Sequence, residues 1–343
     1  MRRQHPGDLV ESYLENAVKG ERRPAIRVAL DLFDSGVPEE QVVVGLLAAA
    51  QREVGERWHR NELTVADEHI ATGVAAAALD ALMNESDPSG REGHTVVACA
   101  EGDWHALAAE MFGESLRSHG VTVTVLGAST PAELVAEFIT RRDGESLAIS
   151  CSVPIYFPGV VRLVDAAHQL GCPVIVGGRA FGNDSRRAER LGADAWARTA
   201  EDAAVIVSGW RAEPPAVTHE ATPLDPVALR LSTDSRQLGL SALDGLAARF
   251  PPMLDYSERQ MARTREDLVF IVQFLAATML VSDDSVFTEF LDWLQDLLVS
   301  RGVPPTALIS GLEALRPVIA DAGAADAVRL LDIGRHQLHY AIG

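Results

Sequence analysis

The sequence predicts a multidomain α and α/β protein: a four-helix bundle, then a doubly wound domain with five parallel strands, then a C-terminal all-helical domain. Three observations lead there. The chain has 343 residues, enough for two or three domains at roughly 150 residues each. Its hydrophobic pattern changes twice, from helical spacing to short continuous Val/Ile/Ala runs and back. Two stretches rich in turn formers mark the changes, Asn84 to His94 (NESDPSGREGH) and Ala212 to Pro226 (AEPPAVTHEATPLDP). The expected domains are therefore 1–88, 89–213 and 225–343.

In the first segment, Pro38 with Glu39 and Glu40 opens a helix, because proline suits a first turn and carboxylates suit its positive dipole end. That helix runs through VVVGLLAAAQREVGERW, Asn61 to Thr64 connects, and VADEHIATGVAAAALDALM follows with apolar residues at helical spacing. With two shorter helices before Pro38 this makes an up-down bundle. The middle segment has strand-like runs at 95–100, 121–127, 146–152, 172–178 and 193–197, with amphipathic stretches such as HALAAEMFGESLRSHG between them. Apolar runs without alternation mean strands covered on both faces, as in a parallel sheet, whose ligand site lies at the carboxyl ends of the strands. The last segment predicts helices at 227–249, 254–280, 283–301, 304–320 and 323–341, broken at Pro251-Pro252, Ser282-Asp283, Gly302 with Pro304-Pro305, and Gly323.

Composition narrows the function classes. Hydrophobic residues make up 47% and charged residues 23%, as in an ordinary soluble globular protein. The net charge of −19 is spread as −7 over 1–88, −6 over 89–224 and −6 over 225–343. Such a surface repels nucleic-acid phosphates and anionic lipid, which argues against binding either through this chain. Cys99, Cys151 and Cys172 are an odd number without CxxC spacing, so neither a disulfide framework nor a zinc site is expected, and a reducing cytoplasm is. The N-terminal MRRQHPGDLV has no apolar stretch behind it to make a signal peptide. The longest apolar run, Leu268 to Val281, spans 14 residues and fits a buried helix better than a membrane span.

The loop after the first strand reads Ala100-Glu101-Gly102-Asp103-Trp104-His105-Ala106-Leu107-Ala108. A histidine where a parallel strand gives way to a helix faces the ligand crevice. Asp103 two residues earlier can take its ring proton, as carboxylates do behind metal-ligating histidines. Taken by itself, the residue also reads as a surface histidine in a loop. The other strand ends carry Gly127-Ala128-Ser129-Thr130, Ser150-Cys151-Ser152 and Gly177-Gly178. Small or hydroxyl residues at every carboxyl end leave room for something long and flat.

Asp103-x-His105-x-x-Ala108, Ser150-x-Ser152 and Gly177-Gly178, with 41 and 24 residues between them, resemble the signature of cobalamin-binding modules. Ala108 and Ser152 depart from it where the family has Gly and Leu. The resemblance covers about residues 10–210, including the helical cap of methyltransferase corrinoid modules. It implies a Rossmann-like domain holding base-off cobalamin, with His105 on the lower face of cobalt, the nucleotide tail running past Ser150 and Gly177-Gly178, and Asp103, Ser129 and Ser152 as further cobalamin-site residues.

In the cap, Trp58 followed by Glu68-His69 at Trp-x9-Glu-His spacing resembles the cobalamin-dependent light-sensing repressors. That implies adenosylcobalamin, with Trp58 and Glu68 around the adenosyl group and His69 as an upper cobalt ligand after photolysis. Those repressors carry a DNA-binding helix-turn-helix before the cap, for which the sequence offers no room. A globin-sized helical domain behind such a sensor resembles the photocobilins. It implies a bilin such as biliverdin, bound non-covalently because no cysteine follows Cys172. Candidate bilin residues are Arg259, Arg263 and Arg265 for propionates, Asp255 for pyrrole N–H groups, and Tyr256, Trp293, Phe270, Phe274 and His336 for the rings. The expectation is a cytoplasmic photoreceptor, not an enzyme, that signals to a partner protein or module and forms a homodimer. Two alternatives stay open: a corrinoid carrier for methyl transfer, and a regulator that binds cobalamin alone and docks proteins on its helical domain.

Overall fold

Pro38 and the acidic pair behind it do start a helix in the computed structural model, which describes residues 6–85, 91–217 and 219–340. The bundle consists of α1 (Pro6–Val18), α2 (Arg22–Asp34), α3 (Glu39–Val42), α4 (Ala48–His59) and α5 (Val65–Glu85). A π-helical turn, Val43–Leu47, joins α3 to α4, with the Ala48 N–H reaching back to the Val43 carbonyl. No residue pattern announced that turn. Thr64 and Asp67 fix the start of α5 reciprocally: the Asp67 carboxylate accepts from the Thr64 N–H at 2.8 Å, and the Asp67 N–H donates to the Thr64 hydroxyl at 3.2 Å. The expected limit at 88 falls outside the described residues.

The sheet is made of β1 (Glu92–Cys99), β2 (Val121–Val125), β3 (Ser146–Ser150), β4 (Val174–Gly177) and β5 (Ala195–Trp196), all parallel, in the order β2-β1-β3-β4-β5. Val96 and Val97 point to opposite faces and are both 0% exposed, so the unalternated runs do mean a sheet covered on both sides. Its helices are α6 (Ala106–Ser118), α7 (Ala132–Arg142), α8 (Phe157–His168), α9 (Arg186–Arg190) and α10 (Ala200–Ala212). Strands β2, β3 and β4 stop earlier at their carboxyl ends than the apolar runs do. Gly127 (φ +85°), Ser129 (φ +45°) and Gly178 (φ +103°) bend the chain out of the ladder there.

Connections leave β1 toward β2 on one side and β3 toward β4 on the other. The crevice between the ends of β1 and β3 is therefore the topological switch point, where such sheets bind ligands. Helix α6 belongs to two cores at once. Its Met111 is part of the bundle core, while Ala109 and Leu116 are part of the sheet core. Just beyond its end, His119 Nε2 lies 3.1 Å from the carboxylate of Glu40 in α3.

The remaining helices are α11 (Pro226–Ser241), α12 (Leu243–Arg249), α13 (Glu258–Val281), α14 (Ser285–Ser300), α15 (Pro305–Asp321) and α16 (Ala325–Tyr340). The helix expected over 227–249 is interrupted at Ala242, where the sequence has no breaker. The apolar run Leu268 to Val281 is the buried half of α13, which begins with a Ser257–Gln260 capping box. The described residues divide into two compact units. One takes the chain up to Ser152 with 162–188 and 193–220, so the bundle and the sheet pack together; the other takes 153–161, 189–192 and the chain from Ala221. No helix among the described residues is long and apolar enough to cross a membrane.

Gly239 on α11 offers a test of the packing. A Cβ there would meet Val269 N at 2.9 Å and the Leu268 carbonyl carbon at 3.1 Å. Alanine gains roughly 1 kcal/mol of helix propensity over glycine, but here the backbone of α13 stands in the way. Gly239→Ala should lower stability by about 1–3 kcal/mol in urea denaturation; an unchanged or higher midpoint would refute the close approach.

Candidate functional site

His105 is the N-cap residue of α6, held there by Asp103. The Asp103 side chain is only 1% exposed and accepts three hydrogen bonds: the His105 ring Nδ1–H at 2.6 Å, the His105 backbone N–H at 3.0 Å and the Ser152 N–H at 2.7 Å. Burial by itself would push that carboxyl up, yet these bonds, with the charge of His105, hold it below the usual carboxylate range. The His105 ring moves the other way. Its bond to Asp103 raises it above the ordinary imidazole value, partial desolvation pulls it down, and the charges of Asp103 and Glu68 add to the rise. With Nδ1 committed to Asp103, Nε2 has no partner among the described residues, and the side chain is 57% exposed. A neutral imidazole in this tautomer, backed by a carboxylate, presents its free lone pair as a metal ligand does.

The other strand ends play different parts. Gly178 is exposed, and at φ +103° any Cβ would run into the Cys151 carbonyl, so only glycine keeps this rim open. At Gly177 a Cβ would come within 3.0 Å of the Ala197 carbonyl. Ser150 ends β3 half-buried, and its carbonyl accepts from the Ala100 N–H at 2.9 Å. Ser152 serves through its backbone N–H. Ser129 faces the loop of His105: its hydroxyl accepts from the Gly102 N–H at 3.0 Å, and its own N–H donates to the Asp103 carbonyl at 2.9 Å.

In the bundle, Glu68 and His69 pair at 2.5 Å between Oε2 and Nδ1. The other Glu68 oxygen lies 2.8 Å from the Thr72 hydroxyl, which in turn is 3.1 Å from Gln51 Oε1 on α4. Gln51 sits two turns before half-buried Trp58, so both share the face of α4 that meets α5. The Glu68 charge is the smallest of the influences that raise the His105 ring.

Sequence reasoning passed over Gln51 and Thr72, although their spacings of seven from Trp58 and four from Glu68 put them on the same faces. It also passed over His59, half-buried beside Trp58, and Trp104, whose indole next to His105 is 76% exposed.

The bilin candidates lie in the second unit and do not all converge. Asp255 ends a 3₁₀ turn, Pro251–Asp255, and Tyr256 packs edge-on against Phe250 at 6.5 Å. On α13, Arg259, Arg263, Phe270 and Phe274 fall on one face at helical spacing, whereas Arg265 points roughly 160° away from it. Arg263 is paired with Glu266 at 2.6 Å. Phe274 stacks on Phe290 at 3.7 Å, Trp293 follows at 6.3 Å, and Phe270 and Trp293 remain partly exposed. His336 lines a groove of about 580 Å³ formed by Ala325, Val328, Arg329, Asp332 and Ile333, all from α16, and its Nδ1 lies 2.6 Å from the Asp332 carbonyl. Asp267, on the α13 face and unnoticed in the sequence, has its carboxyl pushed up to about 6, first by burial and then by Glu266.

Comparison with known proteins agrees with the geometry. Residues 93–208 match the B12 binding domain family, and residues 9–83 match a second B12 binding domain family. The chain is 33% identical over 193 residues to the HTH-type transcriptional repressor CarH of Myxococcus xanthus, covering 55% of this chain and 64% of that protein. It is 24% identical over 199 residues to the dimethylamine corrinoid protein of Methanosarcina barkeri, covering 55% of this chain and 92% of the relative. It is also 30% identical over 166 residues to the repressor CarA of Myxococcus xanthus, covering 47% of this chain and 55% of that one. The chain thus spans less than two thirds of the length of either repressor. Among solved structures, the monomethylamine corrinoid protein of Methanosarcina barkeri shares the fold, with a TM-score of 0.51 at 20% identity over 59% of this chain and 98% of the other. The bundle and the sheet domain each match a B12 binding domain family, and the free Nε2 of His105 and the open glycine rim fit a cobalamin-type cofactor.

Asp103→Ala would leave the Ser152 N–H and the His105 ring without their acceptor. Stability should fall by about 1–3 kcal/mol, and the ¹⁵N spectrum of the cofactor-free protein should show the His105 ring released from a single Nδ1–H tautomer. A ring still fixed in that tautomer would show that Asp103 does not set it.

Proposed function

We propose that this chain is a light-sensing module that binds adenosylcobalamin base-off and signals by a shift of its helical cap. The observation that carries the reading is the Glu68–His69 pair of the cap at its Trp-x9-Glu-His spacing, braced by Thr72 and Gln51. Adenosylcobalamin supplies a cobalt–carbon bond that light cleaves. His105 would hold the cobalt from below through Nε2, with Asp103 fixing the tautomer. Ser150, Gly177 and Gly178 would border the nucleotide tail. Trp58 and Glu68 would enclose the upper group, and its departure would empty the space beneath them, leaving His69 free to approach the metal. Loss of packing at a bistable helix interface is a recognised switch element. The chain is a binding and signalling module on this reading, not an enzyme, and passes its signal to a partner or output module. Similarity to the two repressors supports it.

The second unit would add a bilin such as biliverdin, held non-covalently. What favours this is the α13 face on which Arg259 and Arg263 precede Phe270 and Phe274, an arrangement suited to propionates followed by flat rings. Asp255, Tyr256 and Trp293 are secondary candidates.

Absorption spectra of the protein made with cobalamin and biliverdin, dark and illuminated, test the whole reading: cobalamin bands and a red bilin band, both changing with light, are expected. Cobalamin bands without a bilin band would retire the second chromophore. His105→Ala should weaken cobalamin binding at least ~10-fold and remove the imidazole-ligated spectrum. Trp58→Ala should change photolysis; photolysis identical to wild type would favour a corrinoid carrier, the relative matched over most of its length. Separate His69→Ala and His59→Ala variants would show which cap histidine reaches cobalt after illumination.

A further inference from the structure

Ser129 was expected as a cofactor contact, but its polar atoms are already committed to the loop that carries His105. Its hydroxyl accepts from the Gly102 N–H at 3.0 Å while its N–H donates to the Asp103 carbonyl at 2.9 Å. The two bonds clamp the chain on either side of the Gly102–Asp103 peptide, directly before the carboxylate that orients the His105 ring. The clamp requires an unfavourable backbone. Ser129 sits at φ +45°, a left-handed conformation that L-residues other than Asn and Asp rarely adopt. Gly102 is also left-handed at φ +93°, so the segment it anchors has no helix or strand ladder of its own. Asp103 is then tied to three strand ends: its own turn after β1, the β3 end through the Ser152 N–H, and the β2 end through Ser129.

We infer that Ser129 is a positioning residue for the cobalt-ligating histidine, acting through the Gly102–Asp103 peptide rather than by touching the cofactor. This rests on the cobalamin reading of the site. The hydroxyl is the working group, and the left-handed backbone aims it. Removing the acceptor frees the Gly102 N–H, lets Asp103 shift, and loosens the ring whose Nε2 must meet the metal.

Three variants separate hydroxyl from backbone. Ser129→Ala lacks the acceptor and keeps the strain. Ser129→Gly lacks the acceptor and relieves the strain. Ser129→Asn keeps an acceptor and tolerates the left-handed conformation. In the cofactor-free protein, amide exchange at Gly102 should be about 5–10-fold faster in the Ala and Gly variants and near wild type in the Asn variant. With cobalamin bound to equal occupancy, the Ala and Gly variants should show a smaller imidazole-ligated fraction in the absorption spectrum, restored by Asn. Wild-type exchange and ligation in Ser129→Ala would overturn the assignment. So would wild-type behaviour in Ser129→Gly, since that would make strain the whole effect. Should wild-type protein itself fail to take up cobalamin, the functional reading falls, and the exchange rates alone then uphold or overturn the clamp.

Discussion

A carboxylate that is almost wholly removed from water stays charged only where donors replace the lost hydration, and the carboxyl end of this sheet is organised around that requirement. Asp103 meets it with two N–H groups of His105 and one of Ser152. Each donor comes from a loop that the parallel sheet delivers to the same edge, because β1 and β3 are neighbours whose connections depart in opposite directions. The register of β1 on β3 pairs Cys99 with Ser150, which brings the two loops level. A free imidazole nitrogen follows as a consequence. The ring can give Asp103 only one of its nitrogens, and the other is left facing the crevice.

The same helix that His105 begins is also a structural member of the cap. Met111 packs among bundle residues such as Leu46 and Leu79, while Ala109, two residues before it, and Leu116, five after it, lie in the sheet core. Closely packed interiors do not deform smoothly. A displacement of the cap therefore has to be taken up at α6 or at polar contacts around it, such as His119 with Glu40. The π turn at Val43–Leu47 lies in the cap helix that also carries Trp58, and its extra residue sets which way the face holding Gln51 and Trp58 is turned.

Much of this was legible in the sequence, and what was not has identifiable causes. Strand runs and helix starts came from short-range rules: continuous apolar β-formers and a proline with two acids; the Ser257–Gln260 box that starts α13 went unread. Asp103 and His105 were legible through the chemistry of their side chains, and the Gly177-Gly178 pair through the absence of one where a Cβ would meet neighbouring backbone. Ser152 and Ser129 were legible as positions but not for their bonds around Asp103, since a backbone N–H donor carries no side-chain signature and a left-handed serine looks like any loop serine. The π turn was invisible because VVGLL is as compatible with an ordinary helix. Arg265 was grouped with Arg259 and Arg263 by proximity in sequence, which helical geometry separates.

The cap network shows why the acid of the Trp-x9-Glu-His spacing cannot be judged alone. Glu68 has two oxygens, one on His69 and one on the Thr72 hydroxyl, and Thr72 also reaches Gln51 across the helix interface. A hydroxyl carries one proton, so Thr72 can donate to Glu68 or to Gln51 but not to both at once. Whatever approaches Glu68 from the crevice competes for the same lone pairs and changes which of these bonds is made. On the proposed reading, that puts the link between the upper face of the cofactor and the packing of α4 on α5 in a single shared proton. A local change at Glu68 is then registered at Gln51, on the face of α4 that also carries Trp58.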